Sequence, residues 1–492
     1  MKQIQIHPMD NVAVALETIA VGEPISVGGG TVTAAEDIDR GHKIALAEIR
    51  RGGQVVKYGC AIGVAFHDIS PGSWVHTHNV CTDLSEGREY VYRPKKFPLP
   101  HMEPHTFQGY RRPDGRAAIR NELWIIPTVG CVNGVAQRLA QCNQHLVGGN
   151  IEGVYAFPHP FGCSQMGEDH AQTRKLLAAL ACHPNAAGVL VLGLGCENLT
   201  MEQFRTELGE WEDRRVQYMT CQEEADELAA GSALLKKLAG HAASFSRTPI
   251  PAGELVVGMK CGGSDGLSGI TANPVVGCFS DRLIALGGAT ILTETPEMFG
   301  AENILMERCA DKAVFQKTVE MIEGFKRYYI NHGQAIYQNP SPGNKAGGIT
   351  TLEEKSCGCV QKGGMAPVAD VLGYGEIVKK KGLNLLSGPG NDLVSATALT
   401  AAGAHLILFT TGRGTPFGAP VPTVKISTNT NLFEAKRNWI DFDAGIVAGG
   451  EKMEHVAQHL LDYVLRVAGG EPTVAECHGY REIAIFKDGV IL

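Results

Sequence analysis

A glycine-rich polar stretch, residues 260–274, is the part of the sequence best suited to chemistry. It reads Lys-Cys-Gly-Gly-Ser-Asp-Gly-Leu-Ser-Gly-Ile-Thr-Ala-Asn-Pro and directly follows the apolar run 254–259. This order predicts the end of a buried strand, which is where open α/β sheets bind their ligands. The glycines allow the backbone to approach a small polar molecule closely. The side chains that we expect to contact a ligand there are those of Cys261, Ser264, Asp265 and Asn273. A surface turn that serves geometry alone is the alternative interpretation.

Cysteines recur beside glycine at the ends of predicted strands. They are Cys131, Cys163, Cys196 and Cys261, and a predicted glycine-rich loop adds Cys357 and Cys359. The carboxyl ends of parallel strands converge on one edge of a sheet, and helix N-termini there favour the thiolate form. Such thiols can hold iron, either as a single ion or in an iron–sulfur cluster. The alternative is that these cysteines are core residues, because cysteine is among the most buried residue types and the sequence has no C-x-x-C pair.

Two histidines, His76 and His78, are separated by one residue in the predicted strand Trp74-Val-His-Thr-His. Residues two apart in a strand share a face, so this pair could ligate a metal or contact a substrate. Both could equally be plain surface residues.

Proton transfer and carboxylate recognition have candidates in several polar loops. Arg413, in the segment Gly412-Arg-Gly-Thr-Pro after a predicted strand, can hold a carboxylate with two hydrogen bonds, and Thr415 can bind a hydroxyl group. The candidates for moving protons are His159, His170, Lys260 and Lys345. Only geometry can choose among these four.

The elements that must position these residues fall into separate regions. Residues 1–95 read as short, glycine-separated strands, and the proline-rich segment 96–106 reads as a linker. Residues 107–250 and 251–492 alternate strand, tight loop and helix, with helical periodicity over 310–330 and near 456–467. This pattern predicts a small β module followed by two α/β domains built on parallel sheets.

Bulk properties exclude several classes of protein. A net charge of −8 without a basic block argues against binding of nucleic acid. No apolar run approaches the ~20 residues that a membrane helix needs, and the N-terminus lacks the features of a signal peptide. We therefore expect a cytoplasmic protein with a small-molecule partner and no membrane partner, in which the 14 cysteines are reduced. The absence of Gly-x-Gly-x-x-Gly and P-loop motifs argues against a dinucleotide or ATP enzyme.

Taken together, the motifs resemble those of the altronate/galactarate dehydratase family, over nearly the whole chain. They are Val129-Gly-Cys-Val-Asn-Gly, Phe161-Gly-Cys-Ser-Gln, Gly193-Leu-Gly-Cys-Glu-Asn, Cys261-Gly-Gly-Ser-Asp-Gly, Glu297-Met-Phe-Gly-Ala-Glu, Ser341-Pro-Gly-Asn-Lys-Ala-Gly-Gly and Gly412-Arg-Gly-Thr-Pro. The resemblance implies a β-clip (SAF-like) module, a linker, a middle domain that forms a homodimer, and a C-terminal Rossmann-like variant. Cys357 departs from the family pattern, so Cys359 is the expected ligand of that pair.

The same resemblance implies a hydro-lyase that acts on a sugar acid in hexuronate (galacturonate) catabolism, with Fe²⁺ as cofactor and Mn²⁺ as a substitute. The expected reaction converts D-altronate to 2-dehydro-3-deoxy-D-gluconate, and galactarate is the alternative substrate. Iron ligands would come from a subset of Cys131, Cys163, Cys196 and Cys261, with His76 and His78 of the β module closing over the site. A competing hypothesis places the metal on oxygen and histidine ligands only. Outside catalysis, the chain could be a sugar-acid sensor or an iron–sulfur electron carrier.

Overall fold

A computed structural model describes residues 2–27, 30–84, 90–210, 214–337 and 339–490. The N-terminal module is built from short antiparallel strands, because frequent turns interrupt its alternating apolar residues. These strands are β1 (Gln3–Ile4), β2 (Val12–Ala15), β3 (Pro24–Val27), β4 (Gly30–Thr33), β5 (Lys43–Ala45), β6 (Gln54–Lys57), β7 (Cys60–Ala65), β8 (Trp74–Val75) and β9 (Val80–Cys81). They form the sheets β1-β2-β5-β8 and β6-β7-β9 and the hairpin β3-β4.

The middle region is built around a parallel sheet with the strand order β13-β12-β14-β15. Its strands are β12 (Glu122–Pro127), β13 (Gly153–Ala156), β14 (Ala186–Gly193) and β15 (Val216–Thr220), and its helices are α1 (Asn133–Cys142), α2 (Gly167–Ala181), α3 (Met201–Leu208) and α4 (Glu227–Ala242). A separate antiparallel sheet joins β10 (Thr106–Arg111), β11 (Ala117–Ala118) and β16 (Arg247–Pro251). The start and the end of this region are therefore hydrogen-bonded to each other.

The C-terminal region contains a seven-stranded parallel sheet with the order β19-β20-β18-β17-β21-β22-β23. Its strands are β17 (Val256–Cys261), β18 (Ala289–Leu292), β19 (Val368–Leu372), β20 (Gly382–Leu386), β21 (Leu406–Thr411), β22 (Thr423–Ser427) and β23 (Phe442–Asp443). Its helices are α5 (Ala272–Ala285), α6 (Glu302–Met306), α7 (Lys312–Asn331), α8 (Pro342–Ala346), α9 (Leu352–Cys359), α10 (Asp392–Ala401), α11 (Thr430–Ala435), α12 (Met453–Ala468) and α13 (Val474–Cys477).

The predicted fold class, a small β module followed by α/β domains with a parallel sheet, is confirmed. Both helices predicted from periodicity are present, as α7 and α12. One hydrophobic core joins the two α/β regions, since Trp124 and Phe157 of the middle region pack in the same cluster as Leu399 and Phe409 of the C-terminal region. The boundaries drawn at residues 95, 106 and 250 stay predictions. None of the described helices is both long and apolar enough to cross a membrane.

Candidate metal centre and ligand cavity

The site lies at the carboxyl end of β17, in the interior of the seven-stranded sheet. The chain passes from β17 to β18 on one side of this strand and later returns to β21 on the other side. The connections of the sheet therefore change direction at β17 and β21, and the loops that follow these two strands meet at the carboxyl edge, where Gly412 N donates to the Gly263 carbonyl at 3.0 Å. Such switch points are where open α/β sheets bind ligands. The glycine-rich stretch after Met259 occupies this position.

Three buried side chains, Cys261, Glu297 and Cys359, bring their donor atoms within 4.8 Å of one another. Cys261 Sγ lies 2.9 Å from a Glu297 carboxylate oxygen and 3.7 Å from Cys359 Sγ. The hydroxyl group of Ser264 donates to the same sulfur at 3.3 Å. Two thiols and a carboxylate form a donor set for a transition-metal ion. This is the one such group among the described residues.

Two buried lysines neutralise the negative charge of this group. Lys355 Nζ lies 2.8 Å from Glu297 and Lys362 Nζ lies 4.0 Å from it. Burial opposes ionisation of Glu297, but the charges of Lys355 and Lys362 hold the pKa of its carboxyl group below the usual value. A hydrogen bond with Cys359, together with burial, raises the pKa of the Cys261 thiol. The free thiol is therefore favoured until a cation compensates the thiolate.

A second ion-pair network supports the loop that carries Glu297. The Glu294 carboxylate accepts the backbone N–H of Cys261 at 2.8 Å and lies 3.2 Å from Lys260 Nζ. Lys260 also lies 2.5 Å from Asp392. Glu294 has a φ of 69°, in the left-handed region that costs energy for any residue except glycine. The surrounding bonds must stabilise this conformation, as they do at many functional sites.

Helix α9 presents its two cysteines to different neighbours. The predicted loop around Cys357 and Cys359 is wrong, because these residues form the last turn of a helix that Thr351 caps. Positions two apart on a helix point in different directions. Cys359 accordingly contacts Cys261, whereas the Cys357 thiol forms a hydrogen bond with that of Cys60 in β7. The structure thus brings Cys359, and not Cys357, to the donor group.

A cavity of about 260 Å³ is lined by Asp265 and Leu267, in the same loop as Ser264, which contacts the Cys261 sulfur. It is smaller than the ~300–1,000 Å³ pockets that bind drug-sized molecules, which suits a small ligand. Its polar wall consists of Arg40, Asp265, Arg413, Asn429 and Asn431. Guanidinium and amide groups in this combination can bind a carboxylate and hydroxyl groups.

The N-terminal module is joined to helix α9 by buried charges. The ammonium groups of Lys43 and Lys57 each lie 2.8 Å from the carboxylate of Glu354, and all three side chains are at most 1% exposed. Lys43 also donates to the Gly348 carbonyl and the Thr350 hydroxyl group. Burial lowers the pKa of Lys43 to about 8, against the opposing charge of Glu354.

The two histidines of this module do not share a strand face. Strand β8 ends at Val75, and the next residues form a turn in which the backbone N–H of His76 donates to the Asn79 side chain. His76 is buried with Nδ1 3.2 Å from the Thr350 hydroxyl oxygen, whereas His78 is exposed. Burial lowers the pKa of His76 to about 4. The structure therefore holds His76 as a neutral hydrogen-bonding group at the interface between module and C-terminal region.

The remaining cysteines predicted as iron ligands follow strands of a different sheet from that of Cys261. Cys131, Cys163 and Cys196 are exposed and follow strands of the four-stranded middle sheet. We call these three residues the edge cysteines. Their loops contact one another, since Gly130 N donates to Phe161 O and Leu199 N to Gly162 O. The chain builds two parallel sheets, so the strand ends do not all meet at one edge. None of the three edge cysteines belongs to the group around Cys261.

The proton-transfer candidates occupy four different environments. His159 donates through Nε2 to the Pro127 carbonyl at 2.8 Å and accepts from Phe161 N at Nδ1, so both ring nitrogens are engaged. Burial lowers the pKa of His159 to about 4. His170 lies in α2 of the middle region, and Lys260 is held in ion pairs. Lys345 is exposed in the last turn of α8, two residues before Gly347 of the cavity wall.

Among the predicted substrate ligands, the structure places Asp265 and Arg413 in the cavity wall. Ser264 is buried against the Cys261 sulfur. Asn273 is fully buried, and it donates to the Gly358 carbonyl and accepts from the Thr410 hydroxyl group. Thr415 is half-buried beyond Arg413, in the same loop.

Comparison with known proteins identifies the relationship. Sequence models described as "Altronate/galactarate dehydratase SAF domain", "D-galactarate dehydratase/Altronate hydrolase, second domain" and "D-galactarate/Altronate dehydratase, C-terminal" match residues 1–83, 109–243 and 252–491. The chain belongs to the galactarate/altronate dehydratase family. Relatives of this family include the altronate dehydratases of Bacillus subtilis (strain 168) and Escherichia coli (strain K12), each 52% identical over 99–100% of both chains. The galactarate dehydratase (L-threo-forming) of Escherichia coli (strain K12) is 33% identical over 98% of this chain and 96% of its own.

Several residues of this family member were not predicted as ligands or site residues from the sequence. Glu297 is the first residue of one of the family motifs quoted above, and nothing else in the sequence indicates that it is a ligand. Lys355 and Lys362 stand four residues before and three residues after Cys359, the predicted ligand of its pair. The four-residue spacing places Lys355 on the same side of α9 as Cys359, whereas Lys362 lies in the 3-10 turn that follows α9. The spacing of Lys355 could have identified it once α9 was recognised as helical. Arg40 precedes Gly41 in a polar turn of the N-terminal module, and no sequence spacing indicates that it lines a ligand cavity.

Proposed function

We propose that this chain is an altronate dehydratase, a hydro-lyase that converts D-altronate to 2-dehydro-3-deoxy-D-gluconate and water. The observation that carries the proposal is the 52% identity with two altronate dehydratases over the full length of the chain. Identity to a galactarate dehydratase is much lower, at 33%. Galactarate is therefore the second candidate substrate.

The proposed reaction explains why cationic side chains line the cavity. Loss of water from a 2,3-dihydroxy acid begins with removal of the C2 proton, which leaves negative charge on the carboxylate as an ene-diolate. Cationic groups placed beside the carboxylate lower the energy of that charge as it develops. The C3 hydroxyl group then leaves as water, and the enol product tautomerises to the 2-keto acid. The cavity beside Ser264, with Arg413 in its wall, suits the carboxylate end of such a substrate.

Cys261, Cys359 and Glu297 would hold the metal, and their chemistry fits Fe²⁺. Two sulfur donors favour iron over Mn²⁺, which prefers oxygen, so the thiols argue for weaker binding of Mn²⁺. Lys355 and Lys362 compensate the charge of the Glu297 carboxylate before an ion is bound. When bound, the ion would supply Lewis-acid stabilisation of developing oxygen charge.

Among the proton-transfer candidates, Lys345 is the residue we propose to move a proton at the cavity. Its side chain is exposed near Gly347 of the cavity wall, whereas those of His159 and Lys260 are already engaged by other groups. His170 lies on a helix of the middle region. Lys345→Gln should reduce kcat while Tm stays unchanged.

The proposal also includes the location, the oligomeric state and the domain boundaries of the protein. We propose a cytoplasmic homodimer that associates through the middle domain, with residues 1–95, 107–250 and 251–492 as its domains. The family plan supports this arrangement, and size-exclusion chromatography with light scattering tests the dimer.

The decisive experiment compares dehydration of D-altronate and galactarate by anaerobically purified protein, with and without added Fe²⁺. Keto-acid formation from altronate that depends on iron is the expected result. Preference for galactarate would move the chain to the second candidate, and no turnover of either acid by iron-loaded protein would overturn the proposal. Boiled protein and free Fe²⁺ are the controls for chemical dehydration.

A further inference from the structure

Arg40, from the N-terminal module, lines the same cavity as Arg413 of the C-terminal region. Its Nε is shielded from solvent and has no hydrogen-bond partner in the part of the chain that the structure describes. A buried guanidinium N–H without an acceptor is costly, because its lost hydration is not replaced. The Arg40 side chain as a whole is only partly buried and lines the cavity, so its positive charge can act on an anion there.

The position of Arg40 is set by the docking of the module. The next residue, Gly41, has a φ of +85°, and a Cβ atom there would lie 3.1 Å from the Gly347 carbonyl oxygen. In the facing loop, a Cβ atom on Gly266 would lie 2.0 Å from the Gly41 carbonyl oxygen. The two backbones are therefore in direct contact, which only glycines permit. Arg40 is held at the cavity as long as this contact persists.

The acidic residue of the cavity is already engaged by other donors. Asp265 accepts hydrogen bonds from Thr428 at one oxygen and from Ser268 and Leu267 at the other. Burial raises the pKa of Asp265, and these hydrogen bonds and the charge of Arg40 oppose the rise. Two arginines and one carboxylate leave the cavity with a net positive charge. Its chemistry therefore fits an anion that also carries hydroxyl groups, which the amides of Asn429 and Asn431 can bind.

We propose that Arg40 binds the carboxylate of the sugar acid together with Arg413, so that the substrate site is shared between the N-terminal module and the C-terminal region. This inference rests on the proposed function and adds to it a substrate-binding residue and a role for the module. The cavity is complete only when the module is docked. Separation of the module removes one of the two guanidinium groups that recognise the anion.

Steady-state kinetics of Arg40→Gln test the proposal. Loss of a charge-assisted hydrogen bond should raise KM for D-altronate roughly 10- to 100-fold. Arg40→Lys should recover only part of this loss, because an ammonium group cannot make the paired hydrogen bonds of a guanidinium group. Free guanidinium ion should partly restore the KM of the Arg40→Ala variant for D-altronate. A purely structural role of Arg40 would not give this rescue. The matched control is Arg50→Gln, since Arg50 lies in the same module with a side chain that is 82% exposed.

The outcomes separate the two proposals. If wild-type protein dehydrates altronate and Arg40→Gln keeps KM within about twofold of it, Arg40 is not a substrate ligand. If wild-type protein turns over no altronate, the proposed function fails, and calorimetric binding of galactarate and gluconate then tests Arg40. Weaker binding of either acid by Arg40→Gln than by Arg50→Gln supports the inference. Equal binding by the two variants, or no binding of these acids by wild-type protein, overturns it.

Discussion

Removal of the carboxylate between Lys43 and Lys57 tests how the N-terminal module is held in place. In the described residues, Glu354 is the ion-pair partner of both lysines, and all three side chains are at most 1% exposed. Glu354→Gln keeps the shape of the side chain but leaves two buried ammonium groups without a counter-charge. Breaking a buried ion pair in this way costs about 3–5 kcal/mol. Solvent screening reduces this figure little, because the pair is fully buried.

The expected cost can be measured as local opening of the module. A loss of about 3–5 kcal/mol raises the opening equilibrium roughly 100- to 4,000-fold, since about 1.4 kcal/mol is a factor of ten. Hydrogen exchange followed by mass spectrometry should show this acceleration in the peptides that contain β5 and β7. Peptides from the distant strands β14 and β15 should exchange at the wild-type rate.

The matched control is Glu307→Gln, which removes an exposed pair with Lys95 at 2.7 Å, with 35% of the Glu307 side chain exposed. An exposed pair contributes only about 0–1 kcal/mol, so exchange in β5 should change less than about fivefold. If Glu354→Gln behaves like this control, burial of the ion triad does not hold the module and the reasoning is refuted.

The pH dependence of the same exchange has a defined sign. Burial opposes ionisation of Glu354, but Lys43 and Lys57 lower its pKa from 4.5 to about 2. A carboxyl group with a lowered pKa contributes stability that is complete above the unfolded value and lost as the pH falls. Exchange in β5 should therefore accelerate between pH 4.5 and pH 2 in the wild type and much less in Glu354→Gln. The lowered pKa of Lys43, about 8, works against docking below that pH, whereas the pKa of Lys57 is raised because the charge of Glu354 outweighs burial, and this favours docking.

Three further perturbations separate the roles of the cysteines and of His159. Cys359→Ser should reduce the iron bound after anaerobic loading roughly tenfold or more, whereas Cys357→Ser should leave it unchanged, as measured by elemental analysis. Equal loss of iron in the two variants would show that Cys359 is not a ligand. Serine at all three edge cysteines should leave iron content and the visible spectrum unchanged, and loss of a charge-transfer band would instead support an iron–sulfur cluster at the middle sheet. His159→Leu should lower the stability of the middle region by about 1–3 kcal/mol in urea unfolding, because the Pro127 carbonyl loses its donor, without shifting the pH profile of kcat. A shifted profile would return His159 to proton transfer.

The part of the site that lies at strand ends is predictable from the local pattern of the sequence. The apolar run before Lys260 and the polar glycine-rich run after it are both local signals, and the structure places Cys261 in the donor group. Arg413 is predictable in the same way, because its polar loop directly follows the apolar strand β21, and it lines the cavity. Strand ends of a parallel sheet are predictable because the change from apolar to polar residues occurs within a few positions.

Contacts between distant segments were not predictable in the same way. The edge cysteines have the same glycine-flanked pattern as Cys261, but pattern does not reveal that the chain forms two parallel sheets. The strand predicted through His76 and His78 ends at Val75, because the Asn79 side chain closes a turn there. Glu354 meets Lys43 across more than three hundred residues, and no spacing in the sequence relates them.

Helix α9 connects these observations, since it carries residues of both the module interface and the donor group. Glu354 binds the lysines of the N-terminal module, whereas the next residue, Lys355, pairs with Glu297, and Cys359 lies one turn further along the same side. A displacement of the helix by loss of the ion triad would move Cys359 relative to Cys261, whose position is set by β17. The Glu354→Gln variant should therefore lose iron affinity and turnover under conditions in which the two parallel sheets remain folded. Retention of full activity by a variant with an undocked module would show that α9 is held by the C-terminal region alone.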